Sequence, residues 1–333
     1  MRSQVLEFES PHFLQSLFAD DLRLLKEVER ELAVRVTTRD GWIKLEGEDE
    51  EVASAEALIR DLEAARRKGA EISVHAFRFA VEMATAGEDT SVLSELVERK
   101  MLGSATKPPV MPKTRGQLYY MRTMDENDIV FGVGPAGTGK TYLAMARALQ
   151  AMRDGEVARL VLTRPAVEAG EALGFLPGDM QEKIFPYLRP LYDALYDMLE
   201  PKDVEKFMDS GMIEIAPLAF MRGRTLNRAF VILDEAQNTT REQMFMFLTR
   251  LGLGSRAVIT GDPSQIDLRD RTGSGLTEAL VALPGVRGVG VTKFDRRDVV
   301  RHRVVQGIID AYDRHRGGVE GDPESTDKRA KAR

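Results

Sequence analysis

The residues with the clearest chemical meaning form the segment GPAGTGKT, which runs from Gly134 to Thr141. An apolar stretch typical of a buried strand precedes this segment, and a stretch typical of a helix follows it. Glycines let backbone amides turn inward around phosphate groups, and the start of the following helix adds a partial positive charge. The spacing therefore predicts a phosphate-binding loop, and the flanking strand and helix count against an ordinary glycine turn.

Each position of this loop has an expected role toward a nucleotide. The Lys140 ammonium is expected to reach the β and γ phosphates of ATP, and the Thr141 hydroxyl is expected to ligate Mg²⁺. The residues expected to surround the nucleotide are Gly134, Pro135, Ala136, Gly137, Thr138, Gly139, Lys140 and Thr141.

A pair of acids follows a second apolar run in FVILDEAQN, residues 230–238. A buried strand holds one carboxylate rigidly beside a metal, so we expect Asp234 to hold Mg²⁺. Glu235 is suited to orient and deprotonate an attacking water. A capping role for Asp234 on the following helix is the alternative. Because a kinase must exclude water, the adjacent acid favours hydrolysis over phosphate transfer.

A third polar cluster, ITGDPSQ, occupies residues 259–265. It also follows an apolar run, and its Gln265 is a candidate contact for the γ phosphate or its attacking water. By itself this cluster of Gly, Asp, Pro and Ser indicates only a turn, and that alternative has about even weight.

These motifs alternate with predicted strands and helices in residues 117–316. Continuous apolar strands separated by helices predict an α/β domain with a parallel sheet covered on both faces. The predicted strands are 129–133, 160–163, 230–233, 257–260 and 286–292, and the predicted helices are 140–152, 240–251 and 298–314.

The first 70 residues have a different pattern, which predicts a small α+β domain. Apolar spacing of three and four predicts one helix over 13–32, and a second helix is predicted over 51–68. A hairpin is predicted around Asp40 and Gly41. The predicted divisions are an α+β domain at 1–70, a helical segment and linker at 71–116, the α/β domain at 117–316 and a disordered tail at 317–333.

Composition restricts the classes of function. The chain has 333 residues and no cysteine, which excludes disulfides and thiolate metal sites, and its four histidines show no ligand spacing. No stretch reaches about 18 consecutive apolar residues, so we expect a cytoplasmic protein without a membrane span. Residues 1–100 carry 22 acidic and 14 basic side chains, against 31 and 33 in the remainder. A nucleic acid would therefore favour the second part.

The motif order resembles the RecA-like core of superfamily-one helicases and, more specifically, the PhoH-like ATPase family. The matching segments are RPAVEAGEALGFLPGD (164–179), FMRGRTLN (220–227), DEAQNTT (234–240), GDPSQIDL (261–268) and DVVRHRVV (298–305). The N-terminal domain resembles a KH-like module. RNA-binding KH domains use a GXXG loop, whereas the corresponding residues 18–21 here are Phe-Ala-Asp-Asp. We therefore expect RNA to contact the α/β domain, through Arg164 and neighbouring basic residues.

The resemblance implies further site residues and partners. Gln117 resembles the glutamine that contacts adenine in related cores, with a surface glutamine as the alternative. Arg301 is the preferred candidate for an arginine donated across a subunit interface, with Arg222 and Arg224 as alternatives. The resemblance also implies a homo-oligomer, favouring a hexameric ring, RNA as a partner, and an endoribonuclease of the YbeY type as a further partner.

The expected function is ATP binding and hydrolysis with Mg²⁺ in RNA processing. Two alternatives stay open within this class: a nucleotide-switched RNA adaptor without helicase activity, and an RNA helicase that acts as an oligomer. A GTPase is a weaker alternative, suggested by the segments TKFD at 292–295 and DRTG at 270–273.

Overall fold

The computed structural model describes residues 1–87, 99–104, 106–165, 180–268 and 273–300, together with residues 304, 305, 308 and 312. The N-terminal part contains a three-stranded antiparallel sheet in the order β1-β3-β2. Its strands are β1 Arg2–Glu7, β2 Arg35–Arg39 and β3 Trp42–Gly47. Asp40 and Gly41 both have positive φ, 45° and 89°, as a two-residue hairpin turn requires. The predicted hairpin is confirmed, whereas strand β1 was not predicted.

The single helix predicted over 13–32 is wrong. Two short helices, α1 Pro11–Ser16 and α2 Leu25–Glu31, replace it. Between them Ala19 and Asp20 are left-handed, with φ of 51° and 57°. Apolar residues before and after this break pack into one hydrophobic core. Their spacing along the sequence is therefore that of a helix, although the backbone at the break is not helical.

The N-terminal core is completed by two longer helices, α3 Asp49–Arg67 and α4 Val74–Thr85. Ser73 caps α4 by accepting a hydrogen bond from the Ala76 amide. Buried residues of α4 belong to the same hydrophobic cluster as those of α3, and Leu118 from the α/β part joins this cluster. The domain boundaries remain a prediction.

A six-stranded sheet forms the centre of the second part. Its order is β6-β5-β7-β8-β4-β9, and every neighbouring pair is parallel. The strands are β4 Ile129–Val133, β5 Arg159–Arg164, β6 Ile213–Pro217, β7 Ala229–Leu233, β8 Arg256–Gly261 and β9 Val289–Lys293. The predicted α/β class with a parallel sheet is confirmed.

Helices cover this sheet, and the buried apolar residues form two clusters. The helices are α5 Arg115–Glu126, α6 Lys140–Arg153, α7 Met180–Met198, α8 Pro201–Asp209, α9 Arg241–Leu248 and α10 Gly275–Ala282. Helix α5 begins inside the predicted linker, because Thr114 accepts a hydrogen bond from the Gln117 amide and caps it.

Several element boundaries differ from the prediction. Strand β6 and helices α5, α7, α8 and α10 were not predicted, and β9 begins three residues late because Gly288 turns the chain at φ 83°. The predicted helix 298–314 begins within a 3-10 turn, Arg296–Asp298, and lies mostly outside the described residues, as does the predicted tail. Within the described part of the chain, no helix combines the length and apolarity needed to cross a bilayer.

Candidate nucleotide site

The phosphate-binding loop connects β4 to α6, as the motif predicts. Gly134, Gly137 and Gly139 have φ of 145°, 85° and 78°, values that side chains rarely tolerate. A Cβ at Gly134 would lie 2.5 Å from the Phe294 carbonyl oxygen. The Val300 amide donates to the Gly137 oxygen at 2.9 Å. The loop therefore needs glycine both for its conformation and for its close contact with residues that follow β9.

Lys140 begins helix α6 and folds back over the loop. Its ammonium donates to the carbonyl oxygens of Gly134 and Pro135, both at 2.7 Å, and lies 3.4 Å from the Thr138 hydroxyl. The side chain is thus held above the loop, at the start of a helix whose N-terminal amides favour an anion.

Asp234 follows β7 and is buried, with 7% of its surface exposed. Its Oδ1 atom accepts hydrogen bonds from the Thr141 hydroxyl at 2.6 Å and the Thr260 hydroxyl at 2.7 Å. Strand register explains the second contact, because Leu233 pairs with Ile259 and the next residues along are Asp234 and Thr260. One carboxylate oxygen therefore joins helix α6 to the ends of β7 and β8.

The negative charge of Asp234 also affects the buried side chain of Tyr120. Tyr120 is fully buried against Phe294, with ring centroids 5.2 Å apart, and a Cβ at Gly132 would lie 2.7 Å from the Tyr120 ring. Burial, and after it the charge of Asp234, raises the pKa of Tyr120 well above its ordinary value. The tyrosine hydroxyl therefore stays neutral beside the acid.

Glu235 has a left-handed backbone, with φ 54° and ψ 39°. Its carboxylate receives one donor on each oxygen: Arg164 Nη2 lies 2.9 Å from Oε1, and Gln237 Nε2 donates to Oε2 at 2.5 Å. Left-handed φ is uncommon outside glycine and is found preferentially at functional sites. The two adjacent acids predicted from the sequence differ in solvent exposure: Asp234 is buried, whereas Glu235 is partly exposed.

The GDPSQ segment forms a turn at the end of β8. Asp262 accepts hydrogen bonds from the Ser264 amide and hydroxyl through Oδ1, and from Gln265 Nε2 at 2.7 Å through Oδ2. The Asp262 amide in turn donates to Gln237 Oε1 at 3.0 Å. Gln265 is exposed at the rim of the cleft.

These residues enclose an open cleft of about 290 Å³ beside the phosphate-binding loop. Its lining includes Lys140, Thr141, Asp234, Glu235 and Gln265. A carboxylate and a hydroxyl that already share a hydrogen bond are oxygen ligands of the kind that Mg²⁺ prefers. Among the described residues there is no group of three histidine or acidic side chains able to hold a metal without help. The donor set therefore fits a cation that takes its remaining ligands from phosphates and water.

Gln117 lies inside the protein rather than on its surface, with 3% exposure. Its Nε2 donates to the Thr138 oxygen at 3.0 Å, and its Oε1 accepts from the Lys113 amide at 2.6 Å. The side chain thus ties α5 to the phosphate-binding loop. The predicted contact with adenine stays a prediction.

The predicted arginines occupy different settings. Arg301 lies outside the described residues, as does segment 166–179 of the family motif. Arg222 is exposed, whereas Arg224 donates to both oxygens of Glu214 at 2.6 and 2.7 Å and lowers the pKa of that acid. Arg164 faces Asp234 and Glu235. Its predicted contact with RNA and the predicted oligomeric state stay predictions.

The sequence did not predict three features that shape the cleft: the contacts of Thr260, the contacts of Gln237, and the orientation of Arg164 toward the acids. All three residues lie inside the quoted motifs: Thr260 in ITGDPSQ, Gln237 in DEAQN and Arg164 at the start of RPAVEAGEALGFLPGD. The signal available for Thr260 was its place one residue beyond the paired ends of two parallel strands, which requires knowing the strand order.

Comparison with known proteins gives consistent results. A family model described as PhoH-like protein matches residues 109–313. The PhoH-like protein of Bacillus subtilis (strain 168) is 49% identical over 308 residues, 92% of this chain and 96% of the relative. That of Mycobacterium tuberculosis (strain ATCC 25618 / H37Rv) is 50% identical over 291 residues, 87% of this chain and 82% of the relative.

Solved structures align only loosely with the chain. A Sulfolobus solfataricus SWI2/SNF2 ATPase core in complex with dsDNA is 12% identical, covers 54% of this chain and 42% of that chain, and has a TM-score of 0.32. A likeness of this size supports no conclusion about activity or ligand.

The contacts of Gln117 predict a structural cost that does not depend on nucleotide. Gln117→Ala should lower the free energy of unfolding by about 1–3 kcal/mol without ligand, because it removes the partner of the buried Thr138 carbonyl and of the part-buried Lys113 amide. Gln265→Ala is the control, since its side chain is exposed and, within the described part of the chain, bonds to the neighbouring Asp262, and it should cost less than about 0.5 kcal/mol. Urea unfolding measures both. Equal stability of Gln117→Ala and wild type would contradict the structural role.

Proposed function

The chain belongs to the PhoH-like protein family, and from this membership together with the cleft we propose that it binds Mg-ATP and hydrolyses it. The observation that carries the proposal is the Asp234 carboxylate, bonded to the Thr141 and Thr260 hydroxyls at the floor of the phosphate cleft. A glycine loop, a helix start with its lysine, and a buried acid at the end of a strand one place further along the sheet form the arrangement that nucleoside triphosphates require.

The chain's own groups have distinct tasks toward the triphosphate. The loop amides and the start of α6 bind the phosphates, and Lys140 exchanges its two backbone carbonyl partners for phosphate oxygens. Thr141 and Asp234 hold Mg²⁺, which neutralises charge on the phosphates when bound. Because both groups are already positioned by Thr260 and by α6, little rearrangement is needed.

Glu235 is the group that accepts a proton from water in this proposal. It lies next to the metal-holding acid but is partly exposed, with 37% of its side chain open to solvent. Water therefore has access to it, which is the condition for hydrolysis rather than transfer to another substrate. Gln265 at the rim is placed to contact the same water or the terminal phosphate.

We also propose that the α/β part of the chain acts on or with RNA. The charge division supports this, because residues 1–100 carry a net charge of −8 whereas the remaining residues carry +2. Exposed Arg222 follows the carboxyl end of β6, on the edge of the sheet that also carries the cleft. RNA bound there would lie on the same edge of the sheet as the proposed hydrolytic site.

Glu235→Gln tests the hydrolytic role. The amide keeps the size of the side chain but cannot take a proton, so turnover of ATP should fall by about 10²- to 10⁴-fold while the affinity for nucleotide stays within about twofold. Lys140→Ala should weaken nucleotide binding as well as turnover. Glu242→Gln, an exposed acid of α9, is the matched control and should behave as wild type. Phosphate release and fluorescent-nucleotide titration provide the measurements, and unchanged turnover in Glu235→Gln would refute the assignment.

A charge-reversal pair tests the RNA proposal in the full-length protein. Arg222→Glu should weaken binding of single-stranded RNA and reduce the slope of log affinity against log salt by about 1, because one phosphate contact is lost. Arg39→Glu reverses another exposed charge, on the N-terminal hairpin, and should change neither quantity. Fluorescence anisotropy at several salt concentrations measures both. Stronger dependence on Arg39 than on Arg222 would move the RNA site to the N-terminal part.

A further inference from the structure

We propose that Arg164 and Gln237 are positioning residues that hold the Glu235 carboxylate from opposite sides in its working orientation. The proposal rests on the proposed function, since it concerns how the acid that activates water is held. In this proposal both residues act through Glu235.

Arg164 is oriented by three separate partners. Its Nη2 atom pairs with Glu235 Oε1 at 2.9 Å, and its Nη1 atom donates to the Tyr187 carbonyl oxygen of α7 at 2.9 Å. Its Nε atom lies 4.0 Å from Asp234 Oδ2. Because a guanidinium is planar, two contacts at different nitrogens fix both the position and the plane of the group. Arg164 therefore presents a rigid donor to Glu235 rather than a mobile charge.

Gln237 provides the opposite side of the clamp. It is 1% exposed, and both ends of its amide are used: Nε2 donates to Glu235 Oε2, and Oε1 accepts from the Asp262 amide. The Asp262 contact decides which end of the amide faces Glu235, because a backbone amide can only donate. The donor end must then point at the carboxylate.

Glu235 needs such a clamp because packing does not hold it. Its backbone leaves the strand in a left-handed conformation, and its side chain is partly exposed to the cleft. A free glutamate has several rotamers, most of which would point the carboxylate away from the terminal phosphate. A general base must be held to within roughly 0.5 Å of its productive position. Donors on both oxygens, each anchored to a different element, provide that restriction.

The clamp also places a positive charge between two adjacent acids. Thr163 pairs with Leu233 in the sheet, so the next residues, Arg164 and Asp234, lie side by side. The guanidinium thereby offsets the repulsion between the carboxylates of Asp234 and Glu235, which would otherwise drive Glu235 outward. The contacts of Arg164 and its positive charge thus both hold the Glu235 carboxylate in the cleft.

Turnover measurements on the full-length protein test the proposal. Arg164→Ala should lower kcat by about 10- to 100-fold through misplacement of the base, with KM and affinity for fluorescent ADP within about twofold of wild type. Arg164→Lys should recover part of the loss, because lysine supplies the charge but not the second contact. Arg78→Ala is the matched control. It breaks a two-contact arginine–glutamate pair with Glu27 in the N-terminal part and should leave kcat unchanged.

A double-mutant cycle separates positioning from direct contact with phosphate. In the Glu235→Gln background, Arg164→Ala should lower kcat by less than about twofold, because the group through which it acts is already disabled. A further loss of about tenfold or more in that background would show that Arg164 stabilises the phosphates directly and would overturn the proposal. An increase of kcat in Arg164→Ala would also overturn it, since the ion pair would then be inhibitory.

The opposite side of the clamp has its own variant. Gln237→Glu keeps the acceptor for the Asp262 amide but replaces the donor by a like charge, so kcat should fall by about tenfold or more with nucleotide affinity unchanged. Should Arg164→Ala fail to fold, this variant still decides the matter, and wild-type kcat in Gln237→Glu would contradict the clamp.

Thermal unfolding without ligand tests the ion pair independently of activity. The loss of Tm in the Arg164→Ala, Glu235→Gln double variant should be smaller than the sum of the two single losses, because each substitution weakens the same ion pair. Additive losses would overturn the clamp. If wild type and Arg78→Ala do not release phosphate from ATP, the proposed function fails. The thermal-unfolding cycle still measures the interaction between Arg164 and Glu235 in that case.

Discussion

One carboxylate oxygen, Asp234 Oδ1, is the point on which the cleft depends. It accepts hydrogen bonds from the hydroxyls of Thr141 and Thr260. It therefore connects the first turn of the helix after the phosphate-binding loop to the ends of two adjacent strands. The carboxylate is buried, and it can be so because hydrogen bonds from two hydroxyls compensate for lost hydration. The same bonds place a hard oxygen ligand beside the phosphate-binding loop.

Strand order makes this arrangement possible. In the order β5-β7-β8-β4, residues at the carboxyl ends of four neighbouring strands meet at one edge: Arg164, Asp234, Thr260 and the loop at Gly134. Ligands of parallel α/β sheets bind at such carboxyl edges. The loop is fastened from the other side as well, by Gln117 on α5 and by the Val300 amide. The site is therefore supported by elements more than 150 residues apart in the chain.

Much of this could be predicted from local sequence, and the remainder could not for physical reasons. The loop, the acid pair and five of the six strands of the parallel sheet carry signals within ten residues, namely glycine spacing and apolar runs that end in polar residues or glycine. Contacts such as Arg164 with Glu235 join residues that are distant in sequence, and no spacing rule encodes them. Apolar periodicity reports which side of a segment is buried, not whether its backbone is continuous. That is why one helix was predicted where left-handed Ala19 and Asp20 separate two.

The most direct test of the account is to measure how the Asp234 carboxylate binds a metal together with ATP. Mn²⁺ replaces Mg²⁺ and loses its free electron paramagnetic resonance signal when bound, so titration with ATP present gives the affinity of the ternary complex. The account predicts one Mn²⁺ per chain in wild type, at least about 10-fold weaker binding in Asp234→Asn, and an intermediate loss in Thr260→Val, in which Asp234 keeps only one hydroxyl donor. Thr292→Val removes a buried hydroxyl that bonds to Thr123 instead, and should match wild type. Equal Mn²⁺ affinity in wild type and Asp234→Asn would contradict the account.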